Sequence, residues 1–184
     1  MGYAGGDKQD PTYHTLGDQT ECVQIDFDPT VISYAELVDL MLALHDPGAD
    51  SGHTQYDSLV LAQDEQQLQT ARERVQAASA RLGKPLATRI ETLKKFWPAE
   101  DYHQKFYLRK DRTLLAQFRG MFGDDEVALR DSTAAMRVNG YASLGGTQAR
   151  LDGEVESFGL SEPVRAHLDS LVGETAVGAA CALP

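Results

Sequence analysis

Cysteine is scarce in this chain: Cys22 and Cys181 are the only two in 184 residues. They lie far apart and neither has a second cysteine at ligand spacing, which excludes a disulfide framework and a cysteine zinc site. A reducing compartment, the cytoplasm, is the expected setting. The five histidines (His14, His45, His53, His103, His167) are scattered and form no HExxH-type pair, so no metal is expected. Positive charge is also short. Lys and Arg number 17 against 28 Asp and Glu, a formal net charge of −11 with no basic cluster. That argues against nucleic acid or an anionic membrane surface as partner. No apolar run approaches the roughly 20 residues that span a bilayer, and the chain opens in Gly2-Tyr3-Ala4-Gly5-Gly6 without a signal-peptide pattern.

What is present fits an ordinary globular chain, 42% hydrophobic and 24% charged, with enough residues for one sizeable domain or a domain with a helical extension. The chain contains neither an internal repeat nor a low-complexity block. Val23, Ile25 and Phe27 alternate with Gln24 and Asp26, the period-2 pattern of a half-buried strand that Asp28-Pro29 ends. Ser33 stands three residues before Glu36, a capping box for a helix whose apolar stripe is Leu37, Leu40, Met41 and Leu44. His45-Asp46-Pro47-Gly48 stops that helix, and the polar loop from Pro47 to Thr54 is a candidate site loop.

A strand is predicted over 56–62, with Leu59, Val60 and Leu61 buried. Asp64 caps the next helix, whose apolar face is Leu68, Ala71, Val75, Ala78 and Leu82 and whose stop is Gly83. A further strand is predicted within 87–96, closed by Pro98. The rhythm is that of an α/β sandwich with helices on one face of a sheet. From Ala99 onward the pattern turns helical. Leu114, Leu115, Phe118, Met121 and Phe122 are apolar positions, Gly123-Asp124-Asp125 is a break, and another segment runs to Asn139-Gly140-Tyr141. Gly145-Gly146 forms a turn, 151–158 and 163–171 read as helical, and the small-residue tail after Gly173 is expected to fray.

Glu21 leads directly into the alternating run. Strand parity places it on the apolar side and Cys22 on the polar side. A carboxylate set against apolar surroundings tends to keep its proton, which is how a protein prepares a general acid for neutral pH. On spacing alone, a strand-end carboxylate turned to water is the favoured alternative.

Eight short motifs keep their order along the first part of the chain. They are Tyr3-Ala4-Gly5-Gly6, Pro11-Thr12-Tyr13, Gly17-Asp18 to Thr20-Glu21, Phe27-Asp28-Pro29, Ile32-Ser33-Tyr34, His45-Asp46-Pro47, Thr54-Gln55-Tyr56 and Glu100-Asp101-Tyr102-His103-Gln104-Lys105. Together they resemble the A-type peptide-methionine (S)-S-oxide reductases over roughly residues 2 to 108. Arg137-Val138-Asn139-Gly140-Tyr141 and Gly145-Gly146 are similar to the C-terminal extension of one branch. The resemblance implies a ferredoxin-like α/β (α+β) sandwich over 1–108, missing its first strand and helix, with C-terminal helices over 109–184.

The same resemblance implies thiol-dependent reduction of methionine-S-sulfoxide, free or in proteins, by a monomer without metal or organic cofactor. A cysteine thiolate attacks the sulfoxide sulfur, a glutamic acid protonates the oxygen, and tyrosines hydrogen-bond it. The resulting sulfenic acid is then reduced by a second thiol or by thioredoxin. Carried over by motif, Glu21 is the general acid, and Tyr13 and Tyr56 are the oxygen-contacting tyrosines.

Departures from the family pattern add further expectations. The family nucleophile lies in a Gly-Cys-Phe-Trp segment before the Gly-Tyr-Ala-Gly-Gly turn, and this chain starts after it. The first strand, helix and nucleophile are thus expected upstream of Met1, with little or no reductase activity in this polypeptide alone. Ser51 stands where an aspartate is common and Asp50 one residue further back, so Asp50 is the weaker site candidate; Gln19 replaces a histidine. Trp97 belongs to a different element from the family's tryptophan. Cys22 reads as a structural cysteine, and Cys181 resembles the placement of a recycling thiol. The alternative reading is a non-catalytic methionine-sulfoxide-binding protein or a truncated family remnant.

Overall fold

The computed structural model describes residues 1–49, 51–143 and 145–178, which form a mixed helix and sheet protein of two compact units, Met1–Glu100 and Asp101–Pro184. In the first unit, β1 (Gly2–Ala4) lies between β2 (Thr20–Cys22) and β5 (Trp97–Pro98), antiparallel to both. Tyr3 sits opposite Glu21 on one side and Trp97 on the other. A second, parallel ladder pairs β3 (Leu59–Ala62) with β4 (Arg89–Thr92) in register from Leu59 and Arg89 to Ala62 and Thr92. A parallel pair needs a long crossover, and α2 (Glu65–Leu82) supplies it.

Local chemistry sets the helix ends. In α1 (Tyr34–Ala43) the Glu36 amide donates to the Ser33 hydroxyl at 3.2 Å and the Ser33 amide donates to the Glu36 carboxylate at 2.8 Å, so the capping box forms. The Asp64 carboxylate accepts from the Gln67 amide at 2.7 Å, and Gly83 ends α2 at φ 65°. There a left-handed backbone favours glycine.

Four expectations fail in this unit. The ladder stops at Cys22, leaving Val23 and Ile25 63% and 50% exposed. Alternation describes faces, but a strand also needs a partner, and the β1–β2 pairing ends at Gly2 opposite Cys22. The predicted strand over 56–62 begins only at Leu59, with Tyr56 in a 3₁₀ turn spanning Thr54–Tyr56, and Val60 and Ala62 are its buried pair. Pro98 pairs within β5 instead of closing a strand, while Phe96 stays outside any ladder. On α1 the buried residues are Val38 and Leu42, not the predicted stripe; Leu40 and Leu44 face water. Apolar residues occupy so much of this helix that periodicity cannot choose its inner face. Packing against α2 does, through Val38, Leu42, Val60, Ala71 and Ala78.

The second unit is helical: α3 (Phe106–Lys110), α4 (Arg112–Phe122), α5 (Glu126–Asp131), α6 (Thr133–Ala142), α7 (Gln148–Glu154) and α8 (Glu162–Gly178). Asp111, Asp125, Ser132 and Thr147 cap the starts of α4 to α7. The segment before Tyr141 is two helices, divided at the Ser132 cap. Backbone helix continues to Gly178, past the predicted fraying point at Gly173. Leu108, Leu114, Phe118, Val138, Leu151 and Leu168 are fully buried in a core that draws on all of these helices. Among the described residues no helix is long and apolar enough to cross a membrane.

Candidate functional site

The site begins at the glycine turn after β1. Gly5 adopts φ +91°, and a side chain on Gly6 would meet the Asp18 carbonyl oxygen at 2.5 Å, so both positions demand glycine. The Asp18 carboxylate accepts from the amides of Asp7 and Lys8 at 2.9 Å each. These backbone donors hold it below the usual carboxylate range. Gln19 is buried, accepts from the Gly6 amide at 3.1 Å and donates to the Lys8 carbonyl at 2.8 Å. Asp18 and Gln19 thereby fix the turn against the strand that carries Glu21.

Glu21 is half-buried in β2, and its Oε1 accepts from Gln55 Nε2 at 2.8 Å. The neighbouring Thr20 hydroxyl donates to the Thr54 carbonyl at 2.8 Å. Two bonds thus seat the Thr54–Tyr56 turn on β2 and deliver Tyr56 beside Glu21. The Tyr56 phenol is held above its ordinary value first by the Tyr13 phenol, then by burial, by the Glu21 carboxylate and by a hydrogen bond with Tyr13. Tyr56 is thereby set between Tyr13 and Glu21, although 13, 21 and 56 come from a loop, a strand and a turn. Both tyrosines keep an open side, at 38% and 58% exposure.

The predicted in-and-out contrast between Glu21 and Cys22 is corrected. It rested on the unformed Val23–Phe27 strand. Thr20, on the Cys22 side by parity, is 1% exposed, and Cys22 is as half-buried as Glu21. Burial pushes the Cys22 thiol up to about 11, overcoming the Ala4 backbone and Arg89. Its Sγ lies 3.4 Å from the Thr20 carbonyl. This is a protonated, unreactive thiol at neutral pH. Asp50 and Cys181 lie outside the described residues.

Several residues join the site without a signal from spacing. The Ser51 hydroxyl lies 2.8 Å from the His53 carbonyl and 3.2 Å from Asp57 Oδ1, pinning the loop before Tyr56. Arg89 donates to Asp57 at 3.0 Å and to the Gly5 carbonyl at 3.3 Å, joining that loop to the glycine turn. Glu100 accepts from the Tyr3 hydroxyl at 2.6 Å and from the Tyr13 amide at 3.0 Å. Gln55 and Glu100 both belong to motifs that carry the family resemblance, which was the one available pointer to them. Trp97 packs with Tyr3, Leu16 and Ala99 and carries the Lys95 ammonium 3.3 Å above its ring, so it serves this small core.

No group of three His, Cys, Asp or Glu among the described residues is placed to hold a metal ion. An open cleft of about 310 Å³ in the helical unit, walled by Arg137, Tyr141, Arg150 and Glu154, contains none of the predicted site residues.

Comparison with known proteins places the chain in a family. The Drosophila melanogaster "Peptide methionine sulfoxide reductase" is 38% identical over 168 residues, 90% of this chain and 66% of that protein. "Peptide methionine sulfoxide reductase MsrA" of Haloquadratum walsbyi is 41% identical over 116 residues, 58% of this chain and 66% of that protein. The chain spans just under two thirds of the length of these curated relatives. Among solved structures, Saccharomyces cerevisiae Mxr1 in reduced form superposes with a TM-score of 0.55 at 32% identity, covering 60% of this chain and 68% of that one. Residues 1–130 match the family described as peptide methionine sulfoxide reductase, and the chain belongs to that family.

Proposed function

We propose that Tyr13, Glu21 and Tyr56 receive the oxygen of methionine-(S)-sulfoxide, free or in a protein, and that this site serves its reduction to methionine. The observation that carries the reading is the Tyr56 phenol lying against Tyr13 and near the Glu21 carboxyl that Gln55 holds, with both phenols partly open. A sulfoxide oxygen is a strong acceptor with no proton of its own. Phenol donors already in place meet the negative charge that grows on it as the S–O bond weakens. Glu21 gives it a proton, with Gln55 holding the other carboxyl oxygen.

The balanced reaction needs a thiol. Its sulfur takes the oxygen and becomes a sulfenic acid, and the sulfoxide leaves as thioether. A second thiol condenses with the sulfenic acid to a disulfide with loss of water, and a dithiol such as a thioredoxin-like reductant exchanges that disulfide back to thiol and is itself left as a disulfide. Cys22 is ill suited, because its thiol is held at about 11 and strand geometry turns it away from Glu21. We assign the attacking thiolate to the family's Gly-Cys-Phe-Trp segment, which lies outside these 184 residues. No metal or organic cofactor enters the scheme. The reading includes a ferredoxin-like sandwich over residues 1–108 and a helical extension over 109–184.

A second reading, sulfoxide binding without turnover, is favoured for this polypeptide by the same state of Cys22. The deciding experiment incubates the purified chain with dabsylated methionine-(S)-sulfoxide and dithiothreitol, beside the chain extended by the Gly-Cys-Phe-Trp segment. Binding by both and turnover by the extended chain alone is expected. Failure of both to bind the S epimer overturns the proposal.

A further inference from the structure

Tyr13 has a placement problem. Its ring is 38% exposed, meets His14 edge-on with ring centres 5.4 Å apart, and stands in a loop between β1 and β2, so its position depends on how that loop is held to the sheet. Local bonds close a turn around it, with the Thr15 amide donating to the Thr12 carbonyl at 3.0 Å and the two threonine hydroxyls 2.7 Å apart, but they do not tie that turn to the strand that carries Glu21. A hydroxyl meant to meet one oxygen atom has to be held to about half an ångström.

The anchor comes from the far end of the unit. Glu100 follows β5, 87 positions from Tyr13 and 97 from Tyr3. Its Oε1 accepts the Tyr13 amide at 3.0 Å while its Oε2 accepts the Tyr3 hydroxyl at 2.6 Å. Tyr3 is 2% exposed, the central-strand residue paired with both Glu21 and Trp97. One carboxylate thus ties the backbone of Tyr13 to the buried phenol of the residue lying across from Glu21. Neither donor can be exchanged for an acceptor, so the bridge requires a carboxylate or a close equivalent.

We propose that Glu100 is a positioning residue of the sulfoxide site, setting the Tyr13 hydroxyl relative to Glu21 through the Tyr13 backbone and the buried Tyr3 phenol. The role rests on the sulfoxide-binding reading above. Glu100 touches no reacting atom. In Glu100→Gln one arm of the side chain becomes an NH₂ facing a donor, so one of the two bonds is lost.

The test is a double-mutant cycle in sulfoxide affinity. The 184-residue chain is titrated with N-acetyl-methionine-(S)-sulfoxide methylamide, with the R epimer as control. Glu100→Gln is expected to weaken binding of the S epimer roughly tenfold, as for a lost charge-assisted hydrogen bond. Tyr13→Phe weakens it as well, and the double variant binds no worse than Tyr13→Phe alone. Tyr3→Phe, which removes the other arm of the bridge, is expected to lower the melting temperature and to weaken binding of the S epimer as well, though less than Glu100→Gln. Additive losses in the double variant, or an unchanged affinity in Glu100→Gln, overturn the role. Should Glu100→Gln not fold, Glu100→Asp, which keeps the charge but withdraws it by one methylene, carries the same cycle and criteria. A parent chain that binds neither epimer removes the site itself, and with it any positioning by Glu100.

Discussion

The two units are held together by different forces. In Asp101–Pro184 the interior is large and apolar, with Leu114, Phe118, Leu151 and Leu168 completely buried among helices, four of them with side-chain caps. In Met1–Glu100 the buried clusters are small and lean on alanine, with Ala71 and Ala78 beside Val38, Leu42 and Val60, and a separate group of Tyr3, Leu16 and Ala99. There, long-range polar bridges do much of the fixing: Gln55 to Glu21, Arg89 to Asp57 and Gly5, Glu100 to Tyr3 and Tyr13. The proposed site lies in the bridged unit. Hydrogen bonds place atoms directionally, whereas apolar packing supplies most of the free energy and little orientation.

The sharpest way to break this contrast is through the apolar core. Phe118→Ala removes a fully buried ring and is expected to cost about 3–5 kcal/mol, read by urea unfolding followed by circular dichroism. Sulfoxide affinity of the molecules that remain folded should not change; a parallel loss would mean the core also shapes the site. The converse substitution is Tyr56→Phe. Tyr56 is 58% exposed, so its hydroxyl should matter to the ligand and not to the fold. Roughly tenfold weaker binding of the S epimer is expected with an unaltered melting temperature.

Acid offers a finer probe. Asp111 caps α4 and lies 2.6 Å from His167 Nε2. Its carboxyl is held below the ordinary value, since the Leu114 amide, His167 and the Thr113 amide together outweigh the opposing effect of burial. A lowered folded value stabilises above the unfolded one and is lost as pH falls through the folded one. Stability of the helical unit should fall below about pH 4, and Asp111→Asn should remove part of that fall at a cost of about 1 kcal/mol at neutral pH. An Asp111→Asn chain with the parent's full acid dependence would locate the effect elsewhere. The smallest expected change comes from Cys22. In a Cys181→Ser background, alkylation by iodoacetamide should be slow at pH 7 and accelerate toward pH 11, and Cys22→Ala should leave sulfoxide affinity unchanged. Rapid labelling at neutral pH would return Cys22 to consideration as a nucleophile.

Legibility in the sequence follows the range of each interaction. The capping box of Ser33 and Glu36, the Asp64 cap and the Gly83 stop all span three or four residues, and all were readable from spacing. The glycine turn and the motif order that identified the family were readable too. Val23 to Phe27 misled because alternation was present without a partner to pair with. The inner face of α1 was unreadable because leucines and valines surround the helix, and α2 selects Val38 and Leu42.

The sequence by itself determined the helix boundaries that depend on nearby caps, the shortage of thiols and of positive charge, and the family. Only the tertiary structure decided what surrounds Glu21. Its partners Gln55 and Tyr56, and the Glu100 bridge that seats Tyr13, come from segments between 34 and 97 positions apart. Such contacts exist only after long loops have closed, and local patterning carries no record of which ends will meet.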